Sequence, residues 1–271
     1  MFTRYEGKAW EEKFLPRLTR KQVAELPKEN ALVILSIGAV EQHGDHMPVM
    51  TDALIGEATL TEAMEKVGPD EQIWVLPPIS YGKSNEHIGI PGTISLSAST
   101  LAGLVTDIAS SLKASGFRRL LLFNTHGGNM DLLNVIAREI RISSGMMVFY
   151  LAPSSLNVAS DLMPAEELEF GIHGGDYETS VVMHLKPDWV QEEYRVKEMP
   201  GMERFDYLTL ESKIRFAWKM NDVSASGILG DATAATAEKG KIIQERVTDI
   251  LAKAFAELSR FEIDEFVKHN K

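Results

Sequence analysis

The sequence predicts an α/β fold, a three-layer α/β/α sandwich around a mostly parallel central sheet. Short apolar runs rich in Leu, Ile and Val alternate with helical stretches of ten or more residues, the pattern of successive βαβ units with helices on both sheet faces. Polar, glycine-punctuated turns follow several of these runs. In open α/β sheets the carboxyl edge of the strands is where ligands bind.

Taken in chain order, the apolar run Leu32–Ile37 reads as a buried strand. Helical periodicity then covers Ala53–Val67 and stops at Gly68-Pro69, before a second strand at Ile73–Leu76. Thr100–Ser115 is helical, with Gly116 where a C-cap belongs, and Leu120–Phe123 forms the next strand. Met130–Ile142 is a helix and Met147–Leu151 a strand; Ser180–Leu185, apolar at Val181-Val182-Met183, reads as a fifth strand. A long helical period, Ala232–Leu258, comes last. The segment Met199–Met220 is the least regular and suits a loop, a lid or an oligomer contact. No linker, repeat or low-complexity stretch divides the chain, so residues 1–271 read as one domain.

The chain has 271 residues and a net charge of −11 without a basic stripe, which argues against a nucleic-acid partner. Its 44% apolar content is ample for a core. With no cysteine, disulfides, thiol nucleophiles and thiolate metal sites are excluded. Any metal must be held by nitrogen and oxygen, which suits zinc, manganese or iron(II). Met1–Phe14 carries charges of both signs and lacks the apolar core of a signal peptide. The stretch Ala31–Val40 falls far short of the ~20 residues of a membrane span. A soluble cytoplasmic protein without a membrane partner is expected.

Four of the seven histidines, His43, His46, His126 and His173, lie in glycine-containing turns beside acidic residues. The turns are Glu41-Gln42-His43-Gly44-Asp45-His46 with Asp52 beyond, Asn124-Thr125-His126-Gly127-Gly128-Asn129, and His173-Gly174-Gly175-Asp176-Tyr177-Glu178. In an extended segment side chains alternate, so Glu41 and His43 point to one side. Each residue also has an ordinary reading. A lone histidine at a strand end is commonly a hydrogen-bonded turn residue, Asp52 beside Thr51 can cap the next helix, and Glu41 can be a solvated carboxylate.

The set Glu41, His43, Asp52, His126 and Glu178 exceeds the three protein ligands of one open catalytic ion. It suits two ions with a bridging carboxylate, which can share a hydroxide and polarise a carbonyl, the machinery of amide hydrolysis. His173 is then free to move protons. The loop Tyr81-Gly82-Lys83-Ser84-Asn85-Glu86-His87 lies on the same sheet edge. There Tyr81, Ser84 and His87 are candidate substrate contacts, the plainer alternative being an exposed connection to the Pro91-Gly92 turn. Gly127 and Gly128 can offer backbone N–H groups to an anion at a helix start, although such turns are common. No G-x-S-x-G, G-x-G-x-x-G, Walker A or H-E-x-x-H motif occurs.

These segments resemble the creatininase (creatinine amidohydrolase) family. The resemblance is carried by Gly38 through Gly44 with Asp52, Tyr81-Gly82 through Pro91-Gly92-Thr93, Asn124 through Asn129, His173 through Ser180, and Gly230-Asp231 with Glu238-Lys239-Gly240. It runs in order from about Ala31 to Lys241. It implies an α/β/α sandwich, a two-metal centre, hydrolysis of a non-peptide C–N bond, and a homo-oligomer, commonly a hexamer. It implies Glu41, His43, Asp52 and His126 as metal ligands, Asp52 bridging, and His173 as proton shuttle. Where creatininase itself has a metal-binding glutamate this chain has Gly128, and Glu178 is the natural replacement. Creatininase also packs its flat substrate between tryptophans near the third motif; here Glu169, Phe170 and Gly171 precede His173, and Trp10, Trp74, Trp189 and Trp218 lie elsewhere.

The expected substrate is therefore a small cyclic amide or formamide other than creatinine. Two divalent ions per subunit are expected, zinc first, with manganese or iron(II) as alternatives. A formamido-pyrimidine nucleotide deformylase or a cofactor-precursor peptidase of the same family fits the same ligand set. The reading outside enzymes is a non-catalytic metal-binding oligomer.

Overall fold

The structure is a computed structural model that describes residues 5–211 and 214–264. The first four residues of the N-terminal stretch and positions 212–213 of the irregular segment lie outside the described residues. Four parallel strands form the central sheet in the order β2-β1-β3-β4: β1 (Leu32–Ile37), β2 (Ile73–Val75), β3 (Arg119–Asn124) and β4 (Met147–Leu151). Leu32 pairs with both Ile73 and Arg119, and Ile37 pairs with Asn124. Parallel pairing brings all four carboxyl ends to one edge. The turns after β1 and β3 therefore leave adjacent strands at the same level.

Side chains alternate across the sheet and fill two cores. Leu32, Ile34, Leu121 and Phe123 face one side, where they meet α1 (Thr51–Glu65) through Leu60 and Met64. Val33, Leu35, Leu120 and Leu122 face the other, against α2 (Ala98–Ala114) and α3 (Met130–Ser144) through Leu101, Val105, Leu133 and Ile136. Two more helices, α4 (Asp176–Leu185) and α5 (Ala237–Arg260), join the first side. The layers are helix, sheet, helix. Helix α1 lies between the sheet and these two helices, so it is buried on nearly every face, its first-turn Asp52 included. Gly116, just past α2, takes φ +93° as the C-cap reading requires. Among the described residues no helix is long and apolar enough to cross a membrane.

One expected strand is a helix. Residues 180–185 belong to α4, because a four-residue spacing uses their apolar side chains better than alternation does. Val181 and Leu185 enter the main core with Tyr177 against it, while Val182 packs with Met47, Leu54 and Val190 on another face. Asp176 and Glu178 sit in the first turn, where the helix dipole favours acidic groups. The last helix starts later than expected, at Ala237, where the Thr236 hydroxyl accepts the Lys239 N–H at 3.2 Å. In the irregular segment, Leu208–Thr209 pairs with Ile214–Arg215, and Met202, Leu210 and Met220 form a small core with Leu229.

Helices α4 and α5 meet at Gly240. A Cβ there would strike the Ser180 carbonyl oxygen and lie 3.0 Å from the His184 Cβ. Gly240→Ala should push the helices apart and cost about 1–3 kcal/mol, typical of overpacking. A lowered thermal-unfolding midpoint would show it; an unchanged midpoint would mean the contact is soft.

Candidate metal centre and cleft

Each candidate ligand is placed by a different stretch of chain. After β1 the Glu41 N–H donates to the Val49 carbonyl at 2.7 Å, closing the turn just before α1 begins. Asp52 does not cap that helix. The cap position is Met50, without a side-chain bond, and the Asp52 carboxylate turns into the cluster from the first turn. After β3, Asn124 Nδ2 donates to the His126 carbonyl at 2.8 Å. Asn129 joins three loops: its Nδ2 donates to the Gly38 carbonyl at 3.1 Å and to Asn124 Oδ1 at 3.2 Å, and its Oδ1 accepts the Lys83 N–H at 2.8 Å. Helix α4 delivers Glu178, whose Oε2 accepts the Gly174 N–H at 2.7 Å.

Asp52 lies between two imidazoles, with Oδ1 3.4 Å from His43 Nε2 and Oδ2 3.1 Å from His126 Nδ1. Glu41 Oε1 is 3.3 Å from His126 Nδ1, and Glu178 Oε2 is 3.8 Å from His43 Nε2. Among the overlapping donor groups, Glu41–Asp52–His126 and His43–Asp52–Glu178 share Asp52, while Glu41 also groups with His43 and His173 and with Glu86 and His87. The outer ring nitrogens are committed elsewhere: His43 Nδ1 donates to the Glu41 carbonyl at 3.0 Å, and His126 Nε2 donates to the Lys83 carbonyl at 3.1 Å. Such bonds fix the tautomer and aim the other nitrogen inward. His43 Nε2 and Asp52 Oδ2 are buried without any hydrogen-bond partner. A buried set of carboxylate oxygens and inward imidazole nitrogens, two atoms of it unpaired, fits divalent cations of the nitrogen- and oxygen-liganded kind.

The electrostatics follow from burial and proximity. Burial alone would raise the Glu41 carboxyl, but the imidazole of His126, aided by that of His173, brings it down to about 2. Burial likewise opposes ionisation of Asp52, yet His43 and His126 hold it well below the usual carboxylate range. Burial disfavours the charged form of His43, and Asp52, Glu178 and Glu41 override it to reach about 10. His126 is carried well above an ordinary imidazole against the same burial, by Glu41 and Asp52. Glu178 is pushed up to about 7 by burial and the neighbouring Asp52 and Glu41, with His43 opposing. His173 goes the other way, well below an ordinary imidazole, because it is buried and stands beside His43.

His173 lies between two rings tilted 37° and 39° to it, its centroid 4.2 Å from His43 and 4.4 Å from His87. Its Nε2 donates to the Gln42 carbonyl at 2.7 Å, leaving Nδ1 3.5 Å from Glu41 Oε1. The Gln42 amide donates to His87 Nδ1 at 2.9 Å and to the Gly227 carbonyl at 2.7 Å. His46 is also buried but belongs to none of these donor groups; its Nε2 meets the Thr179 hydroxyl at 2.9 Å.

Among the expected substrate contacts, His87, Gly127 and Gly128 line a cleft of about 860 Å³ that opens onto Glu41, Asp52, His126, His173 and Glu178. Two do not. Ser84 is fully buried and donates its hydroxyl to Glu41 Oε2, so it supports the cluster instead of facing the cleft. Tyr81 points outward, 46% exposed, and lines neither this cleft nor the adjoining chamber of about 320 Å³. That chamber also reaches His126, His173 and Glu178, from the side of Pro153, Asn157 and Tyr177.

Sequence reasoning missed Gln42, Glu86 and Trp218. The first two sit inside segments already singled out, next to named candidates. Trp218 is distant from every histidine turn in sequence, yet it lines the cleft together with Phe216.

Fold and cluster together have the layout of a hydrolase built on an α/β/α sandwich. The chain belongs to the creatininase family, whose family model, described as creatinine amidohydrolase, matches residues 16–255. It is 32% identical to creatinine amidohydrolase of Pseudomonas putida over 90% of this chain and 96% of that one. It is also 31% identical to the mycofactocin precursor peptide peptidase of Mycolicibacterium smegmatis, over 78% of this chain and 79% of the relative. A solved structure described as Mn creatininase superposes with a TM-score of 0.75 at 29% identity, covering 93% of this chain and all of that one.

Ion uptake should release protons, since His43, with a pKa raised to about 10, must lose its proton to present Nε2. Affinity for Zn²⁺ or Mn²⁺ should therefore rise as pH rises from 6 to 8. Calorimetric titration in buffers of different ionisation enthalpy measures the protons released; a buffer-independent enthalpy at pH 7 would contradict this account.

Proposed function

We propose that this chain is a dinuclear metal-dependent amidohydrolase that cleaves the non-peptide C–N bond of a small cyclic amide or formamide. The observation that carries the reading is Asp52, shared by two separate donor groups. Glu41, Asp52 and His126 would hold one divalent ion, and His43, Asp52 and Glu178 the other. When bound, two such ions acidify a shared water and polarise the amide carbonyl. One imidazole with mixed carboxylates per ion suits zinc, and equally manganese.

The remaining steps belong to the protein. His173, kept neutral by burial, presents an unprotonated Nδ1 toward the cluster while its Nε2–H is anchored on the Gln42 carbonyl. It takes the proton that the attacking water gives up as its oxygen bonds the amide carbonyl carbon, and returns it to the leaving nitrogen as the C–N bond breaks. The Ser84 hydroxyl bond keeps Glu41 oriented. Gly127 and Gly128 border the cleft where the amide approaches, and Phe216 and Trp218 give an apolar wall for a flat substrate.

A second reading, cleavage near the end of a peptide, is favoured by the volumes. A cleft of about 860 Å³ lies near the top of the ~300–1,000 Å³ range for ligand pockets, more than a small lactam fills. A formamido-pyrimidine nucleotide would occupy an intermediate volume. We further place the protein in the cytoplasm as one domain and as a homo-oligomer, a hexamer on the family resemblance. Exposure of Tyr207 and Ile214 on the irregular segment supports an oligomer contact there.

Elemental analysis of protein purified without chelator should give about two ions per subunit. Glu178→Gln should lose one of them and most activity. Creatinine, other lactams, formamido-pyrimidines and short peptides, assayed with zinc or manganese, separate the substrate readings. One ion or fewer after reconstitution would sink the dinuclear proposal, and silence across all amides with both ions bound would favour a non-catalytic role.

A further inference from the structure

We infer that Glu86 is a positioning residue for His126, and that position 128 is glycine because Glu86 occupies the space a side chain there would need. Glu86 lies in the short helical turn Asn85–His87 that follows β2. Its Oε1 is 3.5 Å from His126 Nε2, and its Oε2 accepts the Lys83 ammonium at 3.0 Å. The Lys83 carbonyl accepts from the same His126 Nε2 at 3.1 Å. One loop therefore supplies the acceptor for the outer nitrogen, the Lys83 carbonyl, and a carboxylate 3.5 Å from it, while the inner nitrogen of the same imidazole faces Asp52 and Glu41. A carboxylate behind a ligating histidine fixes the ring plane and raises its basicity.

Gly128 gives an independent measure of how tightly this arrangement closes. A Cβ there would collide with Glu86 Oε1, and would lie 2.5 Å from His126 Nε2 and 2.7 Å from the Lys83 carbonyl oxygen. These are the three atoms of the contact itself. Glu86 is also 14% exposed to the cleft, so water reaches one side of its carboxylate. The donor atoms of Glu86, Glu41 and His87 lie within 4.8 Å of one another, which would suit a ligand role. The Lys83 ammonium on Glu86 already satisfies that charge, which favours positioning.

The inference rests on the metal-binding reading, and the experiment separates the two. Zn²⁺ binding is measured by calorimetry on the full chain, its Glu86→Gln and Glu86→Ala variants, Gly128→Ala, and the double variant Glu86→Ala/Gly128→Ala. Glu86→Gln should keep the ion stoichiometry but weaken affinity by about 10- to 100-fold, the range for lost outer-shell partners. The His126 Nε2–H proton resonance should move or vanish in the same variant, with or without ion. Gly128→Ala should weaken binding in the parent and weaken it less once residue 86 is alanine, the remaining cost coming from His126 Nε2 and the Lys83 carbonyl, and that non-additivity marks a shared contact. Unchanged affinity in Glu86→Gln, additive losses in the cycle, or loss of a whole ion would overturn the positioning role. A parent chain that takes up no Zn²⁺ would instead refute the metal-binding reading, while the ring resonance would still report on the Glu86 contact.

Discussion

The arrangement depends on burying one carboxylate. Asp52 is 2% exposed, at the start of a helix itself enclosed on nearly every side, and an unpaired charge in such a place would be prohibitively unfavourable. Two imidazoles offset it, and the amino end of α1 adds favourable partial charge. The imidazoles must come from opposite sides, so the turn after β1 and the turn after β3 must end at the same height. Parallel pairing of Ile37 with Asn124 meets that requirement. The sheet acts as a ruler for the charge cluster.

Around the cluster, side-chain amides do what regular secondary structure cannot. Asn129 ties the loops at Gly38, Lys83 and Asn124, while Gln42 ties His87 to the Gly227 loop. Farther out, the Glu167 carboxylate accepts the N–H groups of Asp176 and Asp231, both at 2.7 Å. That pair of bonds pins the loop carrying His173 against strand-like backbone at Gly230. Buried polar networks of this kind favour one arrangement because each unmade bond is costly. The rigidity needed at the cluster is thus distributed over residues that never face the cleft.

How much was readable in advance follows from how local each signal is. The four sheet strands and the three histidine turns announce themselves within a few residues, because apolar runs and glycine turns are local features. The expected strand at 180–185 failed because six residues hold too few repeats to separate a period of 2 from one of 3.6. The placement of Ser84 and Tyr81 off the cleft was not legible for a related reason: a loop has no period, so inward and outward side chains look alike in sequence. Glu86 and Gln42 act through partners forty or more positions away, His126 and His87 respectively. Trp218 reaches the cleft by tertiary folding alone, which modifies the expectation that the cleft lacks a tryptophan wall.

The long reach of these bonds bears on the order of assembly. Gln42 meets Gly227, and Thr59 meets Gln244, across 185 positions of chain. Contacts of that span close late, since loop entropy is lost before they form. A nascent chain emerging from its amino end can pair β1 with β3 and gather Glu41, Asp52 and His126 while Glu178 is still unmade. The amide that steadies His87, and beside it His173, finds its last acceptor only after nearly all the chain has been synthesised. The half of the centre on β1 and β3 is therefore the older in each molecule's own history, and the half on α4 closes over it.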